Sequence, residues 1–345
     1  MARKMRAAIF SDYGGPEVIE IKDIPIPEPG PGEVRIKVQA ASMNHLDLWV
    51  RRGLPIETPM PHIGGSDLAG IVDAIGPGAE DVPIGIRVVV DPSISYRWYE
   101  GAGRGESFEP SPFQIIGEHT QGGFAEYTVV PAENLLEIPE HVPFERAAAA
   151  GLVFVTAWRA LLTRGQLQAG ERVLITGTSG GVGTAAVQIA SRAGAKVYAV
   201  TSGPQNVARA EDLGAHVVYD REKVDFAREV WRDTDKACVD MVFDTVGEGV
   251  WQQCLRSLGL GGRLVTSGAT TGSRGITEIR LLFWKQLTIM GSTMGTPAEF
   301  RRVMRLVFEG SFDPVIHQVL PLDQARTAHE MLESGHVFGK LVLVP

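Results

Sequence analysis

The run Val173-Leu174-Ile175-Thr176-Gly177-Thr178-Ser179-Gly180-Gly181-Val182-Gly183 joins an apolar, strand-like segment to a glycine cluster, and a helical apolar pattern (Val187, Ile189, Ala190) follows at once. Glycines let a backbone approach a ligand closely, and a helix N-terminus presents unpaired N–H groups to negative charge, so this order suits a pyrophosphate. A glycine cluster alone is weak evidence, since many glycine-rich turns bind nothing. The strand before it and the helix after it are what point to a dinucleotide. Ser179, Gly180, Gly181 and Val182 are the positions expected against the phosphates.

The elements that must carry such a site follow from length and pattern. A chain of 345 residues exceeds one ordinary core and predicts two domains. Strand-like runs at 6–10, 18–22, 34–40, 68–75 and 87–90, separated by Pro/Gly punctuation at 25–32 and 76–78, predict a small β-barrel. Residues 91–117 break that pattern and read as a long loop or lobe; β character returns at 122–130. From 144 the pattern changes. A helix at 144–162 is followed by strands at 172–176, 196–201, 216–219, 239–244, 263–266 and 287–291 with helical stretches between them, which predicts βαβ units and a parallel, doubly wound sheet. Helices at 297–309 and 322–334 and a strand at 340–344 complete the chain.

Composition excludes some classes of function. The formal net charge of −8, without a dense basic block, argues against a nucleic-acid partner. Arg51-Arg52 and Arg301-Arg302 read as solvated faces or local ion pairs. No apolar run reaches membrane-spanning length, and residues 1–5 carry no signal-peptide core. Cys238 and Cys254, the only cysteines, read as packing residues in a reducing cytoplasm.

Several motifs together resemble the medium-chain dehydrogenase/reductase superfamily. They are Asn44-His45-Leu46-Asp47-Leu48-Trp49-Val50-Arg51-Arg52-Gly53, Gly64-Gly65-Ser66-Asp67-Leu68-Ala69-Gly70, Gly122-Gly123-Phe124-Ala125-Glu126-Tyr127, the glycine loop, Gly291-Ser292-Thr293 and Phe338-Gly339-Lys340-Leu341-Val342-Leu343. The resemblance implies an α/β protein with a GroES-like β-barrel catalytic domain, 1–130 completed by 292–345, and a Rossmann domain of doubly wound parallel sheet, 131–291. Zinc alcohol dehydrogenases of this superfamily place a Cys ligand where this chain has Asn44, a His-Glu pair where it has Ser66-Asp67, and a third ligand where it has Leu152. A catalytic zinc needs three N, S or O side chains and an open position, which Asn, Ser and Leu do not supply. The four-cysteine structural lobe of those relatives corresponds to 91–117, which contains no cysteine. The spacing Asn-x-x-Asp-x-x-x-Arg-x-Gly over 44–53 is instead similar to the zinc-lacking quinone oxidoreductases. The expectation is no metal; an irregular site built from His45, Asp47, His62 and Asp67 is the alternative.

NAD-preferring folds hold the ribose 2′-hydroxyl with an acid about 20 residues after the glycine motif. This chain has Ala199-Val200-Thr201-Ser202-Gly203-Pro204 there, which permits NADP(H). Thr201 and Ser202 are candidate donors to a 2′-phosphate, with Arg209 on the next helix. The resemblance implies that Tyr219 lines the 2′-phosphate and adenine, that Thr156 packs on the nicotinamide, and that Thr245, Val246, Gly268, Ala269, Thr270, Phe338 and Lys340 also meet the cofactor. Without zinc, alcohol oxidation lacks its Lewis acid. Reduction of a quinone or an α,β-unsaturated carbonyl needs only donors for a delocalised anion and good positioning. Asn44 is the candidate donor, Asp47 orders its loop, His45 is the candidate proton-transfer group and Trp49 a wall for a flat substrate. The expected function is thus zinc-independent hydride transfer from NADPH to a quinone or enone, by a cytoplasmic homodimer that pairs through the 287–291 edge. The alternatives are an alcohol or aldehyde dehydrogenase with the irregular metal site, and an NADPH-binding protein without turnover.

Overall fold

Alternation of buried and exposed residues builds the first unit. The computed structural model describes residues 3–56, 58–96 and 113–345; most of the expected lobe at 91–117, residues 97–112, lies outside them. In strand β3 (Glu33–Ser42), Val34, Ile36, Val38 and Ala40 point into the core at period two. The strands before it, β1 (Lys4–Phe10) and β2 (Glu20–Pro25), pair with the short β4 (His62–Ile63) in the order β2-β1-β4. After these come β5 (Asp67–Ile75), β6 (Arg87–Val90), β7 (Ser93–Ile94), β8 (Gln114–Ile115), β9 (Tyr127–Pro131) and β10 (Leu135–Glu137). Strand β7 pairs with β8, so the described ends of the lobe meet. The second half of the chain contributes β11 (Arg172–Ile175), β12 (Lys196–Thr201), β13 (Val217–Asp220), β14 (Val239–Asp244), β15 (Leu258–Thr266) and β16 (Thr288–Gly291), then β17 (Ile316–Pro321) and β18 (Lys340–Val344).

The last strand returns to the first unit. Its sheet runs β10-β6-β5-β3-β18-β17, with β9 also on β3. The register sets Val342 opposite Ser42 and, across the other edge of β3, Ser42 opposite Asp67. Three distant parts of the chain therefore converge beyond the end of β3.

The chain divides into Met1–Leu152 with Gly295–Pro345, and Val153–Met294. The sequence-based boundaries at 130/131 and 291/292 move to 152/153 and 294/295. The reason is non-local: β10 pairs with β6, and Arg146 donates to the carbonyls of Val307 (3.2 Å) and Phe312 (3.0 Å). The helix Phe144–Trp158 with its continuation to Arg164 is long and apolar enough to span a membrane, contrary to the sequence-based expectation. Most of this apolar stretch is buried, so it is a core helix.

In the second unit the six parallel strands lie in the order β13-β12-β11-β14-β15-β16. This is the doubly wound order whose carboxyl ends form a ligand crevice. Apolar runs such as Val173-Leu174-Ile175 and Met241-Val242-Phe243 are fully buried, as strands covered on both faces require.

Arg51 departs from the expected solvated face. It is wholly buried, forms an ion pair with Glu333, donates to Gly14 O (3.1 Å) and lies 3.1 Å from His329 Nδ1. Burial and then the Arg51 charge lower the His329 pKa to about 3. Because the unfolded chain binds a proton near pH 6.5 and the folded chain does not, this ring subtracts stability as pH falls below 6.5. The slope is about 1.4 kcal/mol per pH unit. Thermal unfolding compared between wild type and His329→Gln should show the variant losing less stability from pH 6.5 to 5; parallel curves would contradict it.

Candidate functional site

The convergence beyond β3 brings Asn44, Asp47, Asp67 and Lys340 together, all buried. Asn44 caps the helix His45–Arg52 from extended backbone, and its N–H donates to Asp47 Oδ2 at 2.7 Å. Asp47 Oδ1 accepts from Gly65 N at 2.9 Å. Gly65 stands at φ +98°, and a Cβ there would meet the Phe124 ring at 2.7 Å, so this turn requires glycine. Asp47 therefore ties residues 44 and 65 together through their backbone N–H groups. Desolvation raises its pKa to about 6 against the two N–H bonds and the Lys340 charge.

Asn44 turns its amide to two further groups. Nδ2 donates to Asp67 Oδ2 at 3.0 Å, and Oδ1 accepts from Lys340 Nζ at 2.6 Å. Lys340 Nζ also lies 3.4 Å from Asp67 Oδ2, and Asp67 Oδ1 accepts from Leu152 N at 2.7 Å. Burial lowers the Lys340 pKa, opposed by the charges of Asp67 and Asp47. Phe338 and Lys340 were both expected to meet the cofactor. In this structure Phe338 is in the core with 4% exposure, and the Lys340 ammonium is turned onto Asn44 and Asp67.

His45, an exposed residue, opens the helix; desolvation of its ring, then Lys340 and Arg52, lower its pKa. Trp49 is half-buried on the same helix. Sequence reasoning missed Glu118, which is buried with no partner for Oε2 among the described residues. Desolvation, then the Asp47 charge, raise its pKa to about 7. His62, a member of the alternative metal set, instead packs edge-on against Phe10, with Nε2 3.0 Å from Gly117 O.

The second unit forms the expected glycine turn. Gly180 N donates to Gly177 O at 3.0 Å, and the helix Gly181–Arg192 starts at Gly180 with no side chain capping it. Ser179, Gly181 and Val182 are partly exposed at that end. A Cβ at Gly183 would lie 2.2 Å from Gly177 O and 2.6 Å from Thr178 Cα. Gly183→Ala must therefore displace backbone, and the affinity for a nicotinamide dinucleotide, read by fluorescence titration, should fall at least about tenfold, a cost of about 1.4 kcal/mol. Unchanged affinity would place the phosphates elsewhere.

The loops after β14 and β15 are fastened by residues the motif reading passed over. Buried Asp244 accepts from Thr176 Oγ1 (2.6 Å), Val246 N (3.1 Å) and Gly247 N (3.0 Å). Thr271 Oγ1 donates to Val246 O at 2.8 Å, and Thr270 Oγ1 to Thr245 O at 3.3 Å. A Cβ at Gly268 would stand 2.7 Å from Thr245 O. Thr245, Val246, Gly268, Ala269 and Thr270 thus share one surface at the carboxyl ends of neighbouring strands. The hydroxyls of Thr156 and Thr201 are buried and lack a partner among the described residues.

Around β12, Ser202 is partly exposed and Arg209 exposed. Tyr219 lies on the neighbouring strand, opposite Val200. Its ring lies in the core, stacked on Tyr198, and its hydroxyl donates to Asp233 Oδ2 at 3.0 Å. An acid does approach the end of β12, though from β13: Asp220 Oδ1 accepts from Gly203 N (3.3 Å) and Glu222 N (3.2 Å). Those bonds and Lys223 outweigh desolvation and keep Asp220 ionised. Arg221 N donates to Thr201 O at 3.0 Å, which adds a second base to this turn.

A doubly wound sheet with a glycine turn in one unit, and a buried polar centre in the β structure of the other, are the parts of a nicotinamide-dependent oxidoreductase. The chain belongs to the medium-chain dehydrogenase/reductase superfamily: residues 30–140 match the alcohol dehydrogenase GroES-like domain and residues 181–309 the zinc-binding dehydrogenase family. It is 30% identical to the quinone oxidoreductase of Homo sapiens over 99% of this chain and 98% of that one. Among solved structures it is similar to an NAD-dependent alcohol dehydrogenase, with 40% identity, a TM-score of 0.92 and coverage of 99% and 100%. It is also similar to the crotonyl-CoA carboxylase/reductase AntE in complex with NADP, with 26% identity, a TM-score of 0.88 and coverage of 99% and 94%. The protein is an NAD(P)H-dependent oxidoreductase acting on a small molecule.

Zinc, which the family description implies, does not fit the residues present. Leu152 offers only a backbone N–H, which Asp67 takes; Asn44 Oδ1 and Asp67 Oδ2 already face an ammonium. No group of three His, Cys, Asp or Glu side chains able to hold a metal occurs among the described residues.

Proposed function

We propose that this chain is an NADPH-dependent, zinc-independent reductase of quinones or α,β-unsaturated carbonyls. The observation that carries the reading is the hydrogen-bonding centre of Asn44, Asp67 and Lys340, where a metal dehydrogenase needs three open ligands. The nicotinamide supplies a hydride. Asn44 holds the oxygen on which charge develops, which is the demand of a conjugated acceptor. His45, the exposed residue of this group, passes the balancing proton from water, and Trp49 flanks a flat substrate. In the second unit, Thr156 meets the nicotinamide, the 179–182 turn the pyrophosphate, and Thr201, Ser202, Arg209 and Arg221 the 2′-phosphate. The similarity to a human quinone oxidoreductase and to a reductase solved with NADP supports this reading.

The likeness to an NAD-dependent alcohol dehydrogenase and the ionised Asp220 beside Gly203 favour a second reading, NAD-linked alcohol oxidation. One comparison separates the two: kcat/KM for a small quinone and for 2-cyclohexenone with NADPH and NADH, against primary alcohols with NAD and NADP. Quinone or enone turnover preferring NADPH is expected; turnover confined to alcohols would overturn the proposal.

We further propose a homodimer. Strand β16 is the edge of the six-stranded sheet, with Ile289 exposed on it and Phe283 and Trp284 exposed on the helix that precedes it. Sedimentation at micromolar concentration should give a dimer for the wild type and a monomer for Ile289→Lys; a monomeric wild type would contradict it.

A further inference from the structure

Lys340 puts an ammonium group inside the first unit, 3% exposed, against Asn44 Oδ1 and Asp67 Oδ2. A lone buried charge is costly; Asp67 pairs with this one and Asp47 adds a second negative charge to its surroundings, while Asp67 is itself satisfied by Leu152 N and Asn44 Nδ2. The amide between the two charges is held on both sides. An amide whose oxygen accepts from a cation is polarised, which strengthens its N–H groups as donors. One hydrogen of Asn44 Nδ2 goes to Asp67, and the other has no acceptor among the described residues.

We propose that Lys340 is the resident cation of this centre, a positioning residue that fixes and polarises Asn44 toward the oxyanion of the reduced substrate and takes the place that a divalent metal holds in zinc dehydrogenases. This rests on the reductase reading. The step balances without a further reagent. The hydride leaves C4 of NADPH for the electrophilic carbon, and the π electrons of the acceptor move onto its oxygen. Asn44 donates to that oxyanion, and a proton from water neutralises it. NADPH becomes NADP⁺, while Lys340 keeps its proton throughout. Burial, which lowers the Lys340 pKa, makes its charge a lever on alkaline activity.

The test compares wild type with Lys340→Met, Lys340→Arg and the double variant Lys340→Met/Asp67→Asn, which removes the buried ion pair as a whole if the single variant fails to fold. Three readouts are taken: NADPH affinity by fluorescence, the pH profile of kcat with a benzoquinone, and retained zinc or cobalt after incubation with each metal and desalting. Loss of Lys340 should lower kcat about 100-fold, the scale of one oxyanion donor, at unchanged NADPH affinity. Arginine should restore most of that loss and remove the alkaline fall in rate, and the wild type should retain no stoichiometric metal. Three results would overturn the proposal: full kcat in both methionine variants, weakened NADPH binding with kcat intact, or one metal per wild-type chain. If the wild type reduces no acceptor, the reductase reading fails on its own. The affinity and metal readouts then still decide between a resident cation and a cofactor ligand.

Discussion

Alanine in place of Asp67 should destabilise the protein by about 3–5 kcal/mol, the range for breaking a buried ion pair by removing one partner. Asp67 is 1% exposed and accepts from Leu152 N and Asn44 Nδ2 while facing the Lys340 ammonium. Its removal leaves that ammonium buried without its ion-pair partner, with only the more distant charge of Asp47 to oppose it, and strands two donors. Asparagine at the same position keeps an acceptor but loses the charge, so its cost should fall between wild type and alanine. Urea unfolding midpoints read at constant slope give the comparison. A loss under about 1 kcal/mol for Asp67→Ala, the scale of an exposed pair, would mean that water reaches Lys340 and that the centre is not sealed.

Replacing Asn44 with alanine should lower kcat/KM for a conjugated acceptor by about 100- to 1000-fold, the effect of deleting one oxyanion donor. The stability cost should stay near that of a lost helix cap with its side-chain bonds, about 1–2 kcal/mol. The two effects separate because Asp47 still accepts backbone N–H groups from positions 44 and 65 in the variant. Steady-state kinetics with NADPH and a benzoquinone, beside a melting curve, tests both. Equal activity in Asn44→Ala would remove this residue from the chemistry.

Much of the fold was legible because its signals are local. The apolar runs of β11, β12 and β14 and the helix behind the glycine turn each declare themselves within a dozen residues. The boundary near 152 was not legible, since it depends on β10 crossing to β6 and on Arg146 reaching residues 161 and 166 positions away. The same reason explains the site. Asn44 and Asp47 stand out by their spacing in one motif, but the bond from Lys340 to Asn44 spans 296 residues and exists only because β18 returns along β3. Tyr219 stands out by its motif, while the bond from its hydroxyl to Asp233, one helix later, does not. Asp220 stayed hidden because it approaches the β12 turn from the adjacent strand rather than from the expected position in sequence.

The central claim is hydride transfer to a conjugated acceptor without metal. The most direct measurement is NADPH oxidation by a small quinone, using enzyme whose metal content has been determined, before and after dialysis against a strong chelator. A rate unchanged by the chelator, from protein holding far less than one metal per chain, is the predicted result. A rate that disappears with the chelator and returns with zinc would contradict it.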